Sequence, residues 1–305
     1  MSIAHSVAVS NKLLAGARAT QKSRRLISMN FISWLIARGI HLEKIQKAGP
    51  QYVLDYLQYR QSGDPEKGNK PLSIGSLKNI QSTLNQVINV HRSKDDPRRI
   101  VSTETQIGAR DRRGSKRPPT EAEYQLILTN AQKTGEAGFV LMLQMERLLG
   151  LRGQEALCCV AAFTKYLKCN LQPETSSMFV DVIDGTKGGR ARSTEMIASR
   201  KLETWQVIKS AIDYAKSHGG HLLVGKKPDL KAARNRYHYL CRQVGLTGEV
   251  SGHALRYAFA VEKLTELKNL GLSRKEAAQW VARVLGHGAS RDRYVRMVYG
   301  RVSEQ

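Results

Sequence analysis

Near its carboxyl end the chain reads LGHGASRDRYVRMVYG (residues 285–300), with one histidine, three arginines and two tyrosines in a short stretch. Two earlier strings gather residues of the same kinds. GLRGQEAL at 150–157 carries Arg152 and Glu155, HALRYAF at 253–259 carries His253 and Arg256, and Lys187 stands in TKGG at 186–189. Each has an ordinary reading by itself. Arg152 and Glu155, three apart, suit a local ion pair; His253 and Arg256 share one helix face; His287 after Gly286 suits a helix end. The chemistry that would use all of them is transfer of a phosphodiester. Guanidiniums stay protonated and offer planar paired donors to phosphate oxygens, a phenol is a nucleophile whose phosphate ester keeps the bond energy, and lysine and histidine carry protons. Such a step requires neither a metal nor a nucleotide, so no cofactor is expected.

Composition narrows the partner. The 305 residues hold 49 Lys plus Arg against 26 Asp plus Glu, a surplus of 23 positive charges. Residues 1–117 carry 21 basic and 8 acidic side chains, and the remainder carries 28 and 18, so both halves are suited to phosphate. Nucleic acid is favoured over an anionic membrane because no basic amphipathic anchor or lipidation motif accompanies the charge. A ribosomal or nucleoid-type scaffold is the plainer alternative. Cys158, Cys159, Cys169 and Cys241 form no CxxC pair and no zinc spacing, which predicts reduced, mostly buried thiols. Residues 1–20 lack a signal-peptide core, and GFVLMLQM is too short to span a bilayer. The expectation is a soluble protein of the cytoplasm, associated with the nucleoid of a bacterial cell when on DNA.

The pattern that must position these residues is mainly helical. Ile27, Phe31, Trp34 and Leu35, then Val53, Tyr56 and Leu57, then Leu77, Leu84, Val87 and Ile88 recur at spacings of three and four. SGDPEKGNKP and SKDDPRR separate the segments. This predicts a small helical bundle with Arg18, Lys22, Arg24 and Arg25 on its outer faces. GARDRRGSKRPP at 108–119 reads as a basic linker. The boundaries drawn are 1–109 for the helical domain, 110–119 for the linker and 120–305 for a second domain. Thr120 followed by Glu123 predicts a capping box and a helix, with a second helix over about 137–149. MFVDVIDGTKGGRARSTEMI changes to a period of two around a Gly-rich turn, which predicts a β-hairpin. From Lys201 onward the period is helical again.

Taken in this order, with Lys187 on a hairpin between them, the strings resemble the catalytic domain of the tyrosine recombinases, the phage-integrase family. The resemblance covers roughly 118–305, and the basic helical front half is similar to that family's core-binding domain. It implies a mainly α protein with a small β-hairpin: a helical core-binding domain followed by a mixed α/β catalytic domain. It also implies one active site built from Arg152, Glu155, Lys187, His253, Arg256, His287 and a tyrosine. Arg152 and Arg256 would clamp the phosphate, His253 and His287 would bond it or tune the nucleophile's proton, Lys187 would protonate the leaving 5′-oxygen, and Glu155 would orient the basic groups. Arg24, Arg25, Arg112, Arg113, Lys116 and Arg117 are the residues expected to hold DNA elsewhere.

The tyrosine is where the sequence departs from the family. The usual position, nine residues past the histidine, is Arg296; Tyr294 lies seven past His287 and Tyr299 twelve past it. MVYGRV, with Val302 three beyond Tyr299, matches the family's ending better and favours Tyr299. Five residues of helix turn about 140 degrees, so only one of the two rings is expected to face the arginine pocket. The resemblance implies a site-specific recombinase or integrase that works through a 3′-phosphotyrosyl intermediate, of a mobile element or prophage. It would close a two-domain clamp on double-stranded DNA and act as a homo-tetramer there, with accessory DNA-bending proteins as optional partners and no membrane role. A type IB topoisomerase-like nicking and resealing enzyme and a catalytically inactive DNA-binding accessory protein are the competing readings.

Overall fold

The computed structural model describes residues 2–64, 68, 70–90, 107–108 and 116–300. The chain divides into two compact units, Met1–Asp111 and Arg112–Gln305.

The first unit is built from α1 (Ile3–Leu13), α2 (Arg18–Ile36), α3 (Pro50–Ser62) and α4 (Ile74–Asn89). Its helix starts follow capping chemistry: Ser2 and Ser73 accept from the backbone N–H three residues on, and Pro50 opens α3 where no donor is needed. The apolar positions at helical spacing converge. Phe31, Leu35, Val53, Tyr56, Leu57, Leu77, Leu84 and Val87 are buried, with the Tyr56 ring 5.3 Å from both Phe31 and Trp34. Arg18, Lys22 and Arg25 are exposed, whereas Arg24 is buried, which corrects its expected place on the outer face. Its Nη1 donates to Asn11 Oδ1 at 2.9 Å and to the Ala15 carbonyl at 3.1 Å. Two acceptors at the α1–α2 turn thus draw the guanidinium inward, and hydrophobic periodicity cannot register a buried polar pair. SKDDPRR lies outside the described residues.

The second unit contains α5 (Glu121–Lys133), α6 (Ala137–Leu149), α7 (Gly153–Cys158), α8 (Val160–Cys169), β1 (Phe179–Val182), β2 (Arg192–Glu195), α9 (Lys201–Ser217), α10 (Leu230–Gln243), α11 (His253–Asn269), α12 (Arg274–Val284) and α13 (Asp292–Val298). Thr120 and Glu123 form the capping box that starts α5. The strands pair antiparallel, from Phe179 opposite Glu195 to Val182 opposite Arg192, and a 3-10 turn at Lys187–Gly189 caps the hairpin. Helix α6 is apolar on nearly every side and runs through the middle of the core, where Phe139, Met142, Leu143 and Leu149 are fully buried beside Ile208 and Ala211 of α9. A second cluster, including Phe259, Val281, Val295 and Tyr299, joins α11, α12 and the end of α13. Of the cysteines, Cys159 and Cys241 are buried, Cys158 is half-buried and Cys169 is exposed, all free. No described helix is long and apolar enough to cross a membrane.

Gly138 sets how closely α6 approaches its neighbours, since a Cβ there would stand 1.8 Å from the Leu222 carbonyl oxygen. Gly138→Ala should destabilise the protein by about 1–3 kcal/mol, the usual cost of overpacking. A denaturant midpoint unchanged from the parent would contradict that packing.

Candidate active site

The site forms where three chain segments end against one another. Helix α6 stops at Gly150, whose left-handed backbone (φ 59°, ψ 35°) favours glycine, and a Cβ there would lie 2.4 Å from the Phe259 ring. The chain then turns through Arg152 into α7. Helix α11 begins at His253, which puts Arg256 on its first turn, and α12 ends just before His287.

Glu155, fully buried, is the hub. Its Oε1 pairs with Arg152 Nη1, and its Oε2 accepts from Arg192 Nη2 at 2.8 Å, accepts the Arg152 backbone N–H at 2.9 Å and lies 3.6 Å from Arg256 Nη1. Burial by itself would raise the Glu155 pKa, but Arg192 and Arg256 outweigh it and hold the carboxyl below its ordinary value. Arg256 is entirely buried. Its fork donates Nη1 to the Gly150 carbonyl and Nη2 to the Leu285 carbonyl, groups at the C-terminal ends of α6 and α12 where helix dipoles favour cations. Burial, then the neighbouring Arg192 and Arg152, pull its pKa down to about 9.

Both histidines are held neutral. Burial, reinforced by Arg256 and Arg152, lowers His253 to about 4. Burial with Arg256, Arg152, His253 and Arg192 lowers His287 to about 3. The rings form a chain: His253 to Tyr257 at 5.7 Å, Tyr257 to Tyr299 at 4.5 Å, Tyr299 to Tyr294 at 6.2 Å and Tyr294 to His287 at 5.3 Å. Tyr299 has no exposed surface, and its hydroxyl lies against the Arg256 guanidinium. Burial raises its pKa while Arg256 opposes that rise. The two rings take different neighbours. Tyr299 sits in the field of Arg256, and Tyr294, half-buried, packs on His287. Tyr299 caps α13 in right-handed helical backbone, its N–H donating to the Val295 carbonyl at 2.8 Å. Val302 lies outside the described residues.

Arg152, Glu155, His253, Arg256, His287 and Tyr299 are thus brought together, while Lys187 is exposed at the hairpin turn. Lys116 Nζ donates to the Gly248 carbonyl, and its charge reaches His253. Arg117 is engaged by Glu123 at 2.6 and 2.7 Å, so its guanidinium is already partnered by a carboxylate. Arg112 and Arg113 lie outside the described residues. Sequence reasoning missed Arg192. Its signal was strand parity: Arg192 and Thr194 share the inward face of β2, and an inward arginine demands a buried carboxylate.

Arginines gathered round one glutamate, two neutral histidines and a buried phenol on a helical unit with a small hairpin define the tyrosine recombinase fold. The Integrase family model matches residues 106–262, just over half of the chain, and the chain belongs to that family. It is a site-specific DNA recombinase, an enzyme whose partner is DNA. Among solved structures it is similar to the Tn1549 transposon integrase in complex with transposon right-end DNA, at 14% identity and a TM-score of 0.61 over 100% of this chain and 98% of that one. It is also similar to a lambda integrase tetramer bound to a Holliday junction (16% identity, TM-score 0.54, 96% of this chain and 77% of that one). A lambda integrase dimer on a COC′ core site gives 17% identity and a TM-score of 0.53, over 96% and 95% of the two chains. No curated protein matches the sequence.

The histidines yield a pH prediction. Their folded values lie below the ~6.5 of an exposed imidazole, so the unfolded chain takes up protons first as pH falls. The stability they contribute is complete above that value and is lost as pH drops through about 4 and then about 3. In His287→Asn, thermal stability should fall less steeply with acidification than in the parent. An identical slope would mean that His287 is not held neutral.

Proposed function

We propose that Tyr299 is the nucleophile of this recombinase and that Arg152 and Arg256 clamp the scissile phosphate. The observation that carries this is a group of buried polar atoms around the Tyr299 phenol, Arg256 Nε and His287 Nε2, that find no hydrogen-bond partner in the geometry of the protein, with the phenol itself held in the field of Arg256 and Arg152. Buried polar groups are normally satisfied, so a cluster of orphans among cations fits a bound anion that bridges them. Oη attacks phosphorus, the O–P bond forms and the bond to the 5′-oxygen breaks, leaving the strand's 3′-phosphate on tyrosine. The phenol gives its proton to a neutral site imidazole. The departing oxygen receives one from the Lys187 ammonium, so one proton is lost and one gained. His253 and His287, neutral, can bond the non-bridging oxygens or take the phenolic proton, and Glu155 orients the guanidiniums.

The first unit is proposed as the core-binding domain, with Arg25 exposed on α2 and Arg24 on the wall of a cleft of about 670 Å³ with Arg60, Asn79 and Gln86. Arg112, Arg113, Lys116 and Arg117 are proposed as further DNA contacts, Arg117 being able to touch phosphate only by sharing or leaving Glu123. A mobile element or prophage is the proposed setting, with a homo-tetramer on DNA as the working assembly, accessory DNA-bending proteins assisting, and the nucleoid as its place in the cell. The basic surplus and the resemblance to element-borne integrases support that setting.

On a suicide duplex from the element's ends, Tyr299→Phe should bind as the parent does and form no covalent adduct, whereas Tyr294→Phe should trap normally. The reverse pattern would transfer the role to Tyr294. Duplex affinity should fall roughly 1,000-fold between about 50 and 200 mM salt, as for a protein that neutralises at least six phosphates. A flat salt response would rule out a broad phosphate interface.

A further inference from the structure

We propose that Arg192 is a positioning residue that registers the Lys187 hairpin against the phosphate-binding floor of the site. The inference rests on the reading of Lys187 as the proton donor. Arg192 is the first residue of β2 and pairs with Val182 across the hairpin, five positions from Lys187. Its side chain is 5% exposed and reaches three segments at once. Nη2 donates to Glu155 Oε2 at 2.8 Å and to the Gly150 carbonyl at 3.3 Å, on either side of Arg152, and Nη1 donates to the Val284 carbonyl three residues before His287. Gly286 packs directly on it, since a Cβ there would stand 2.7 Å from Arg192 Cδ.

The next inward residue of the strand continues the attachment: Thr194 Oγ1 donates to the Leu149 carbonyl at 2.8 Å. Successive inward side chains of β2 are therefore bonded to the last carbonyls of α6, and the strand cannot slide without breaking both. Beyond Arg192 the backbone runs outward through Gly188 and Gly189, each in the left-handed region (φ 75° and 70°), to Lys187. The turn is free to shape itself, but its root is pinned. Only an arginine can do this. A lysine in the same place keeps the charge opposite Glu155 but is a point donor without the fork that spans Glu155, Gly150 and Val284. Burial lowers the Arg192 pKa and Glu155 opposes that, so the contact with Glu155 is what keeps the charge in place.

The test separates leaving-group protonation from everything else. The full chain, Arg192→Lys, Arg192→Gln and Lys187→Ala are assayed in single turnover on suicide duplexes whose scissile 5′ bridge is oxygen or sulfur. A thiolate leaves without being protonated, so the sulfur duplex reports phosphate clamping and attack alone. Both Arg192 variants should bind the duplex within about threefold of the parent. They should cleave the oxygen duplex about 100-fold more slowly, the scale of a misplacement near 1 Å, and lose less than about tenfold on sulfur, in parallel with Lys187→Ala. Arg192→Lys retains the buried charge, so it guards against a folding defect in Arg192→Gln; thermal unfolding within a few degrees of the parent checks this. Equal slowing on both duplexes by the Arg192 variants, with Lys187→Ala rescued by sulfur, overturns the inference alone and assigns Arg192 to the phosphate or the fold. Equal slowing by Lys187→Ala as well overturns the proton-donor reading and the inference with it.

Discussion

One buried carboxylate holds this site together. Glu155 meets the guanidiniums of Arg152, Arg192 and Arg256, and none of those charges would tolerate its burial without a partner. Three cations face one anion, so the arrangement is not neutral. Helix-terminal carbonyls at Gly150, Val284 and Leu285 offset part of the excess, and the remainder adds to burial in depressing the Arg256 pKa. An isolated protein gains nothing from such an arrangement, which raises the energy of the free enzyme. On the proposed clamping of the scissile phosphate, a bound dianionic transition state would recover that energy, because preorganised donors need not rearrange at the moment of reaction.

The same surplus governs the neighbouring groups. It is part of why both histidines stay neutral at pH 7, able to accept as well as donate, when burial has already disfavoured their cations. It also opposes the rise that burial imposes on the Tyr299 phenol. The linked rings from His253 through Tyr257, Tyr299 and Tyr294 to His287 keep these groups at fixed spacings, so the field that sets one sets all.

Packing behind the site fixes where the arginines and histidines start. Tyr237 of α10 is wedged between two glycines: a Cβ on Gly153 would stand 2.6 Å from its ring and one on Gly252 2.8 Å from its hydroxyl. Those glycines adjoin Arg152 and His253, so one tyrosine spaces two active-site segments. Its hydroxyl donates to Glu146 at 2.9 Å, a fully buried carboxyl that burial pushes up to about 8 and so keeps protonated at neutral pH. A neutral acid there adds no second anion to compete with Glu155 for the arginines.

Sequence alone determined what local rules control. The capping box at Thr120, the helix over 137–149, the alternation that makes β1 and β2, and the family resemblance carried by Arg152, His253, Arg256 and His287 were all legible, because each rests on neighbours within a few residues or on the order of short strings. Tertiary structure decided the rest. Arg24 turned inward because Asn11 and Ala15 happen to meet it, Arg192 became the third guanidinium on a glutamate 37 residues away, and Tyr299 was packed against Tyr257 of α11. A buried charge is tolerated only where a distant partner arrives, and the partner's arrival depends on how helices and strands pack, which periodicity along the chain does not encode.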